Sequence, residues 1–324
     1  MEAIIVAVGR IMINKSKYFD YLYQVLVNNN LVPDDNLWRT KLESQIDQVG
    51  INREIYLRLM QEYSANFNEV ALINTSKNIC LCKSLGVKVM NELIVSSVSF
   101  ITLGCFLDYM MDSKNPKMVK YAKQKLDWNY CKKWFVDFQA RDGNNIDEIL
   151  FEEISFGLKW IYSNNKELYL YLIKIIKAAA EAEVAVMEPN FEADDNFNII
   201  YNKSAVFTKI SLLLAAGNKK EWNKAEIQSI ENIGMIFLYM DDLIDFFEDK
   251  LVGQKNVIDM LIIKNRGSWE LVIEMVVKKI INYIDKMSLV FENDMIKLVK
   301  NEIKEWLFSN EDLILRHNRE GLNA

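Results

Sequence analysis

An apolar stretch with helical periodicity runs from about Trp222 to a stop at Gly253, and its last two turns are crowded with acid: Asp241, Asp242, Asp245, Glu248 and Asp249. The C-terminus of a helix already carries partial negative charge, so Lys or Arg belongs there if the face is merely solvated. Something cationic must offset the crowding. Asp241, Asp245 and Asp249 are spaced four apart, which at ~3.6 residues per turn keeps the three carboxylates on one face, drifting by about 40° per step. Three oxygen ligands on one stripe suit hard divalent cations, Mg2+ above all when phosphate and water complete its shell. The other reading of these residues is an acidic, solvated face.

A second acidic pair repeats the arrangement. The uncharged stretch LIVSSVSFITLGCFL follows Glu92 and ends in Asp108-Tyr109-Met110-Met111-Asp112, ahead of the breakers Ser113, Asn115 and Pro116. Asp108 and Asp112 share a helix face at the end of an apolar helix. One such pair is weak evidence. Two constellations at the ends of two apolar helices say more, because facing carboxylates repel unless metal ions lie between them.

Lys203 joins the acids by geometry. Gly217 and the Asn-Lys-Lys after it make a short loop between a helix beginning near Phe197 and the acidic helix starting near Trp222, so the two should pack antiparallel. Lys203 lies 14 residues before Gly217 and Asp241 lies 19 after Trp222; at ~1.5 Å per residue these are about 21 and 28 Å from the hairpin end. A solvated Lys at a helix start is the alternative.

The rest of the chain agrees with an all-α architecture. Three Pro, eleven Gly and no Ser/Gly/Pro-rich linker in 324 residues favour one helical domain over 1–324. Helical periodicity recurs in Tyr18 to Asn28, Ile55 to Phe67, Glu148 to Ile161, Leu168 to Met187, Trp269 to Met287 and Met295 to Phe308, and no run alternates long enough to argue a sheet. Hydrophobic residues, 51% of the chain, suffice for a core and an apolar cavity.

Other classes lack material. A single histidine, His317, leaves nothing for His-based zinc sites or Ser-His-Asp catalysis. Cys80, Cys82, Cys105 and Cys131 show no CxxC spacing and read as reduced core thiols. The apolar run Ala3 to Val8, interrupted by Arg10, is too short for a signal peptide. The uncharged run Leu93 to Leu107 is 15 residues, below the ~20 that span a bilayer. A cytoplasmic protein without a transmembrane segment is expected, with transient membrane proximity if its substrate is apolar. Net charge of −6 without basic tracts argues against nucleic acid.

These motifs carry a resemblance. DDLIDFFED resembles the second aspartate-rich motif, DDxxDxxxD, of the trans-isoprenyl diphosphate synthases, and the preceding IGMIFLYM resembles their GxxFQ lead-in with Tyr239 in place of Gln. Asp241, Asp245 and Asp249 also fall at the metal positions of the NSE motif of class I terpene cyclases. DYMMD resembles the first motif, DDxxD, with Tyr109 replacing its second Asp, and Lys203-Ser204-Ala205-Val206-Phe207 is similar to the KTxxLF segment whose Lys binds diphosphate. The pattern spans roughly residues 90 to 255 and is similar to the class I terpenoid synthase superfamily, including small bacterial synthases that act on long prenyl diphosphates.

The resemblance implies an all-α bundle around a central cavity and three Mg2+ ions with bound diphosphate, held by Asp108, Asp112, Asp241, Asp245 and Asp249. It implies ionisation of an allylic prenyl diphosphate and conversion of the cation to a cyclic or acyclic terpene. Lys203, with Lys250, Lys255, Arg316 or Arg319, is expected to meet the leaving group. Phe106, Tyr109, Phe207, Phe237, Tyr239 and Phe246 are candidate cation-stabilising rings, although each is also an ordinary core aromatic. Gly104 and Leu103, one turn before Asp108, suggest an open cavity and a substrate of twenty carbons or more. A homodimer is compatible. The basic GKR-type segment, the Arg pair after the first motif and the early His that elongases use for isopentenyl diphosphate are missing; the segment after Asp112 reads SKNPKMVK. Two alternatives stay open: a prenyltransferase that elongates a prenyl chain or hands its cation to another nucleophile, and an inert helical subunit of a prenyl synthase.

Overall fold

The computed structural model describes residues 14–32, 48–63, 67–186, 197–252 and 256–321, and every regular element among them is a helix. The first is α1 (Lys15–Asn28), capped by the Asn14 side chain on the amides of Ser16 and Lys17. Next come α2 (Arg53–Tyr63), α3 (Phe67–Ser84) and α4 (Asn91–Met111). Pro116, at the first turn of α5 (Pro116–Leu126), turns the chain back from the end of α4. Then follow α6 (Trp128–Phe135), α7 (Ile146–Asn164) and α8 (Lys166–Ala185).

The hairpin expected around Gly217 is present but jointed. Its first arm is two helices, α9 (Phe197–Lys203) and α10 (Ala205–Ala215), separated at Ser204. Its second arm, α11 (Lys224–Ile244), starts two residues later than expected, at a capping box between Asn223 and Glu226. That arm also breaks: Asp245 caps α11, and α12 (Phe246–Val252) continues from it. The stop expected at Gly253 and the candidate Lys255 lie outside the described residues. Four helices complete the fold: α13 (Val257–Lys264), α14 (Trp269–Met287), α15 (Asn293–Leu307) and α16 (Glu311–Gly321).

Helix α4 is the centre of the bundle, packed against α3, α5, α7 and α10. It is long and apolar enough to cross a membrane, yet most of it is buried within the protein. Small and hydroxyl side chains let its neighbours close in. Ser97 Oγ lies 2.7 Å from both the carbonyl and the hydroxyl of Ser211 on α10, and the Gly157 amide of α7 donates to Ser96 Oγ at 3.0 Å. Helix α3 buries five consecutive polar residues, Asn74 to Asn78. Asn74, Thr75 and Ser76 bond back to carbonyls one turn earlier. Lys77 pairs with Glu302 at 2.8 Å, and Asn78 donates to Ser97 at 2.8 Å. Periodicity could not reveal this helix, because its buried face is polar.

Of the expected Ile55 to Phe67 helix, Ile55 to Tyr63 lies in α2 and Phe67 opens α3, and 64–66 lie outside the described residues. All four cysteines are free, two buried and two half-buried, and burial pushes the Cys82, Cys105 and Cys131 thiols up to about 12.

Gly234 sets the approach of α11 to α10. A Cβ there would stand 2.2 Å from the carbonyl oxygen of Ala205, a backbone atom that no rotamer change can move. We expect Gly234→Ala to destabilise the protein by about 2 kcal/mol, the overpacking strain exceeding the ~1 kcal/mol gained in helix propensity. Guanidinium denaturation measures it, and an unchanged midpoint would show that the two helices can separate freely.

Candidate functional site

The two acid-bearing helix ends and Lys203 meet at one end of the bundle. Lys203, the last residue of α9, places Nζ 3.2 Å from Asp108 Oδ1 and 3.5 Å from Glu183 Oε1. Burial alone would lower its pKa, but Asp108, Glu183 and Asp112 outweigh that and hold it protonated. Asp108 Oδ1 and Glu183 Oε1 are both buried, and neither has a hydrogen bond of good geometry among the described residues.

Charge crowding confirms the convergence. Burial lifts Asp241 well above the usual carboxylate range, with Asp245, Asp242 and Asp108 adding to the effect. Asp112 is pushed up to about 6 by burial and then by Asp108. Asp245 is pushed up to about 7 by burial, with Asp249, Glu248, Asp112 and Asp108 behind it. Asp249 is raised by burial while a hydrogen bond from Asn256 opposes the shift. Each rim therefore feels the other across the mouth. Among the described residues no three carboxylate, thiol or imidazole groups stand close enough to hold an ion by themselves. The donors are all hard oxygens on opposing walls, with Asp108 Oδ1 left without a good partner. That set fits Mg2+ ions that draw much of their shell from phosphate and water and few ligands from each helix.

Two contributors, Glu183 and Asn256, were not foreseen, and Asp242 has a different role from the acids around it. Glu183, on α8, is pushed up to about 8 by burial and then by its acidic neighbours against Lys203. Its signal was faint, an acid in the Ala-rich end of an amphipathic helix. Asp242 turns away from the mouth: its Oδ2 accepts the Val257 amide at 2.5 Å, which pins the start of α13. Asn256 donates to the Asp242 carbonyl and to Asp249 Oδ2, both at 2.8 Å, and so fixes the third acid of the stripe.

Other expected residues lie elsewhere. Lys250 reaches Asp259 at 3.4 Å and stacks over Phe246. Arg316 pairs with Asp20 at 2.7 Å, tying α16 to α1, and Arg319 lies exposed on the same helix. Phe237 packs on Trp306 and under Lys77 Nζ, 4.4 Å away. The Tyr239 hydroxyl accepts from Lys279 at 3.4 Å, and Phe246 stacks on Tyr18. Tyr109 is 44% exposed on the outside, and Phe106 is buried. Of the expected rings, only Phe207 lines the cavity that opens under Lys203 and Glu183.

That cavity also corrects the expectation at Gly104. Instead of leaving space, Gly104 receives the Phe207 ring, whose Cζ lies 1.8 Å from where a Cβ would be. The ring also packs on Phe100 at 4.8 Å. The remaining cavity is about 70 Å3, small beside the ~300–1,000 Å3 of ordinary ligand pockets. Outside the mouth, a second groove of about 800 Å3 runs along α5, lined by Lys114 ahead of the helix and by Lys120 and Lys123 on it. No protein-family model matches the chain, and no curated protein matches it.

The raised carboxylates set a pH dependence. They bind protons more tightly folded than unfolded, so their contribution to stability is complete below about pH 4 and is lost as pH rises through about 6 and 7, where Asp112 and Asp245 ionise in the folded state. We expect the Mg2+-free protein to melt at a lower temperature at about pH 8 than at about pH 5, and Asp245→Asn to flatten the difference. Calorimetry measures it; a melting temperature that rises across that interval would contradict the crowding.

Proposed function

We propose that the protein is an Mg2+-dependent class I terpene synthase that ionises an allylic prenyl diphosphate and converts the carbocation to a terpene. The observation that carries this reading is the meeting of two acid-bearing helix C-termini and a buried Lys203 at the mouth of a largely apolar cavity. Asp108, Asp112, Asp241, Asp245 and Asp249 would hold the ions. Bound Mg2+ supplies neutralisation of the diphosphate charge as the C–O bond breaks.

The chain's own groups supply the rest. Lys203 donates to oxygens of the departing diphosphate, exchanging its contacts with Asp108 and Glu183 for a fully charged partner. Asn256 keeps Asp249 in place. The walls contributed by Leu103, Leu107, Ile176 and Ala180 exclude water from the cation, and the faces of Phe100 and Phe207 offer it polarizable charge. A long chain enters only when Phe207 turns off Gly104. The lysine groove beside the mouth favours a second reading, transfer of the prenyl group to an anionic acceptor such as isopentenyl diphosphate. Among the described residues no arginine lines that groove, and flexible, strongly hydrated lysines are a poor substitute for a guanidinium fork.

Incubating the purified protein with allylic diphosphates of graded length, with and without radiolabelled isopentenyl diphosphate, tests both readings. Diphosphate release with an apolar, unlabelled product supports the synthase; label in a longer diphosphate supports transfer, and no turnover of any substrate leaves the inert subunit. In the active protein we expect Asp245→Ala or Asp249→Ala to lower diphosphate release by about a hundredfold or more, with thermal stability of the metal-free form retained. Release that survives complete chelation would oppose the metal-dependent reading.

Phe207→Ala should shift the preferred substrate toward longer chains, by about tenfold in relative kcat/KM for each pair of lengths compared. An unchanged length profile would show that another wall sets the depth.

A further inference from the structure

Charge is unevenly spread along this chain. The protein is acidic, with a net charge of −6, yet seven of its 39 Lys and Arg residues and only one of its 45 Asp and Glu residues fall between Ser113 and Lys133. That segment is the turn after α4, all of α5 and most of α6. Lys125 turns inward, to Asp147 at 2.6 Å. The one acid, Asp127, accepts from the amides of Asn129 and Tyr130 and so caps α6. Of the six other lysines, Lys114, Lys117, Lys120, Lys132 and Lys133 are exposed and Lys123 is half-buried.

The geometry of α5 makes this a face. Lys114 stands two residues after Asp112, beside the mouth, and α5 then runs back along α4. Ala122 is the buried residue of α5; Lys120, two positions earlier, points about 200° away from it, with Lys117 about 60° to one side. Lys117, Lys120 and Lys123 are spaced three apart, as neighbours on a helix, so their charges repel one another and destabilise it slightly. A counter-charge is therefore wanted outside. The rim next to this face adds a second feature. Leu251, on α12 two residues after Asp249, is 87% exposed, and Tyr109, beside Asp108, is 44% exposed. Asp249 is near enough to Asp112 to raise its pKa, which puts the Leu251 end of α12 at the same mouth as the start of the lysine row. Asp108, Asp241, Asp245 and Asp249 are half-buried, recessed behind these side chains.

We propose that this face docks on an anionic lipid bilayer, with the lysines of α5 and α6 over the headgroup phosphates and Tyr109 and Leu251 entering the interface, so that the mouth opens toward the membrane. Lysine clusters of this size are drawn to anionic headgroups, and exposed aromatic and aliphatic side chains beside them gain by leaving water at the headgroup boundary. From Lys117 to Lys123 the row is about 9 Å long at ~1.5 Å per residue, and it continues onto α6. A sheet of phosphates matches that spread better than one small anion does. The inference rests on the synthase reading for what the bilayer delivers, a long prenyl diphosphate whose chain is dissolved in lipid and whose diphosphate lies at headgroup level. The docking itself does not depend on turnover.

The test is co-sedimentation of the full chain, without substrate or Mg2+, with vesicles of phosphatidylcholine alone or of phosphatidylcholine mixed with phosphatidylglycerol. The protein should bind the anionic vesicles and not the neutral ones, and raising the salt to about 0.5 M should release it. Lys117→Gln/Lys120→Gln should lower the bound-to-free ratio by about tenfold or more, and Leu251→Ser by about threefold or more. A control with the same change of charge, at the exposed Lys297 and Lys300 of α15 (Lys297→Gln/Lys300→Gln), should stay within about twofold of the wild type. No binding to anionic vesicles, equal binding to neutral ones, an equal loss in the control, unchanged binding in either α5 or Leu251 variant, or displacement by soluble glycerol phosphate each overturns the proposal. Because binding is read without substrate, those results leave the synthase reading intact, and a protein that binds vesicles but turns over no prenyl diphosphate loses the synthase reading and keeps the docking face.

Discussion

Confinement of like charges against a single ammonium is the constraint on which the rest of this structure depends. Asp108, Asp112, Asp241 and Asp245 are brought together at the C-terminal ends of two buried helices, where the peptide dipoles oppose them as well, and Asp249 joins them from the first turn of α12. Lys203 is the cation whose charge reaches Asp112, Asp241 and Asp249. Such an end of a bundle stays assembled only if the remainder holds it by force of packing, and the deep apolar contacts of α4, α10 and α11 do so. Charge crowding of this kind is what the proposed ions would relieve.

The means of holding is close backbone approach. Gly234 against Ala205, Gly157 against Ser96 and Ser97 against Ser211 draw α10, α4, α7 and α11 nearer than branched side chains would allow. The same device at Gly104 has a different consequence: Phe207 fills the gap and partitions the apolar interior, leaving a small chamber below Lys203. A flexible ring over a glycine is the part of such a wall that moves at least cost, since no backbone shift is required.

Polar groups in the interior divide into two kinds. Those on α3 bond to their own helix or to neighbouring hydroxyls, and in Lys77–Glu302 to each other, so they serve assembly. Those at Asp108 and Glu183 each keep a buried oxygen without a hydrogen bond of good geometry, and both residues pair with Lys203, which lines the cavity. Buried acceptors left open are costly, and the scaffold keeps some as well, at Asn78 Oδ1 and Glu302 Oε2.

Sequence by itself determined the helical class, the amphipathic helices α1, α7, α8, α14 and α15, and the two acid-bearing ends, because each depends on residues within a few turns of one another. The antiparallel arithmetic that carried Lys203 to the acids also worked, since a short loop leaves two helices little freedom. It could not see the break at Asp245, the buried polar run of α3, or Glu183 joining the mouth from α8. Nor could it see that Lys250 and Arg316 turn to other partners, that most of the candidate rings face other helices, or that Phe207 occupies the space over Gly104. Those are decided by which helix faces meet, and a face is chosen by the packing of the whole bundle. Spacing along one helix reports the direction of a side chain, whereas only the tertiary structure supplies the neighbour it meets.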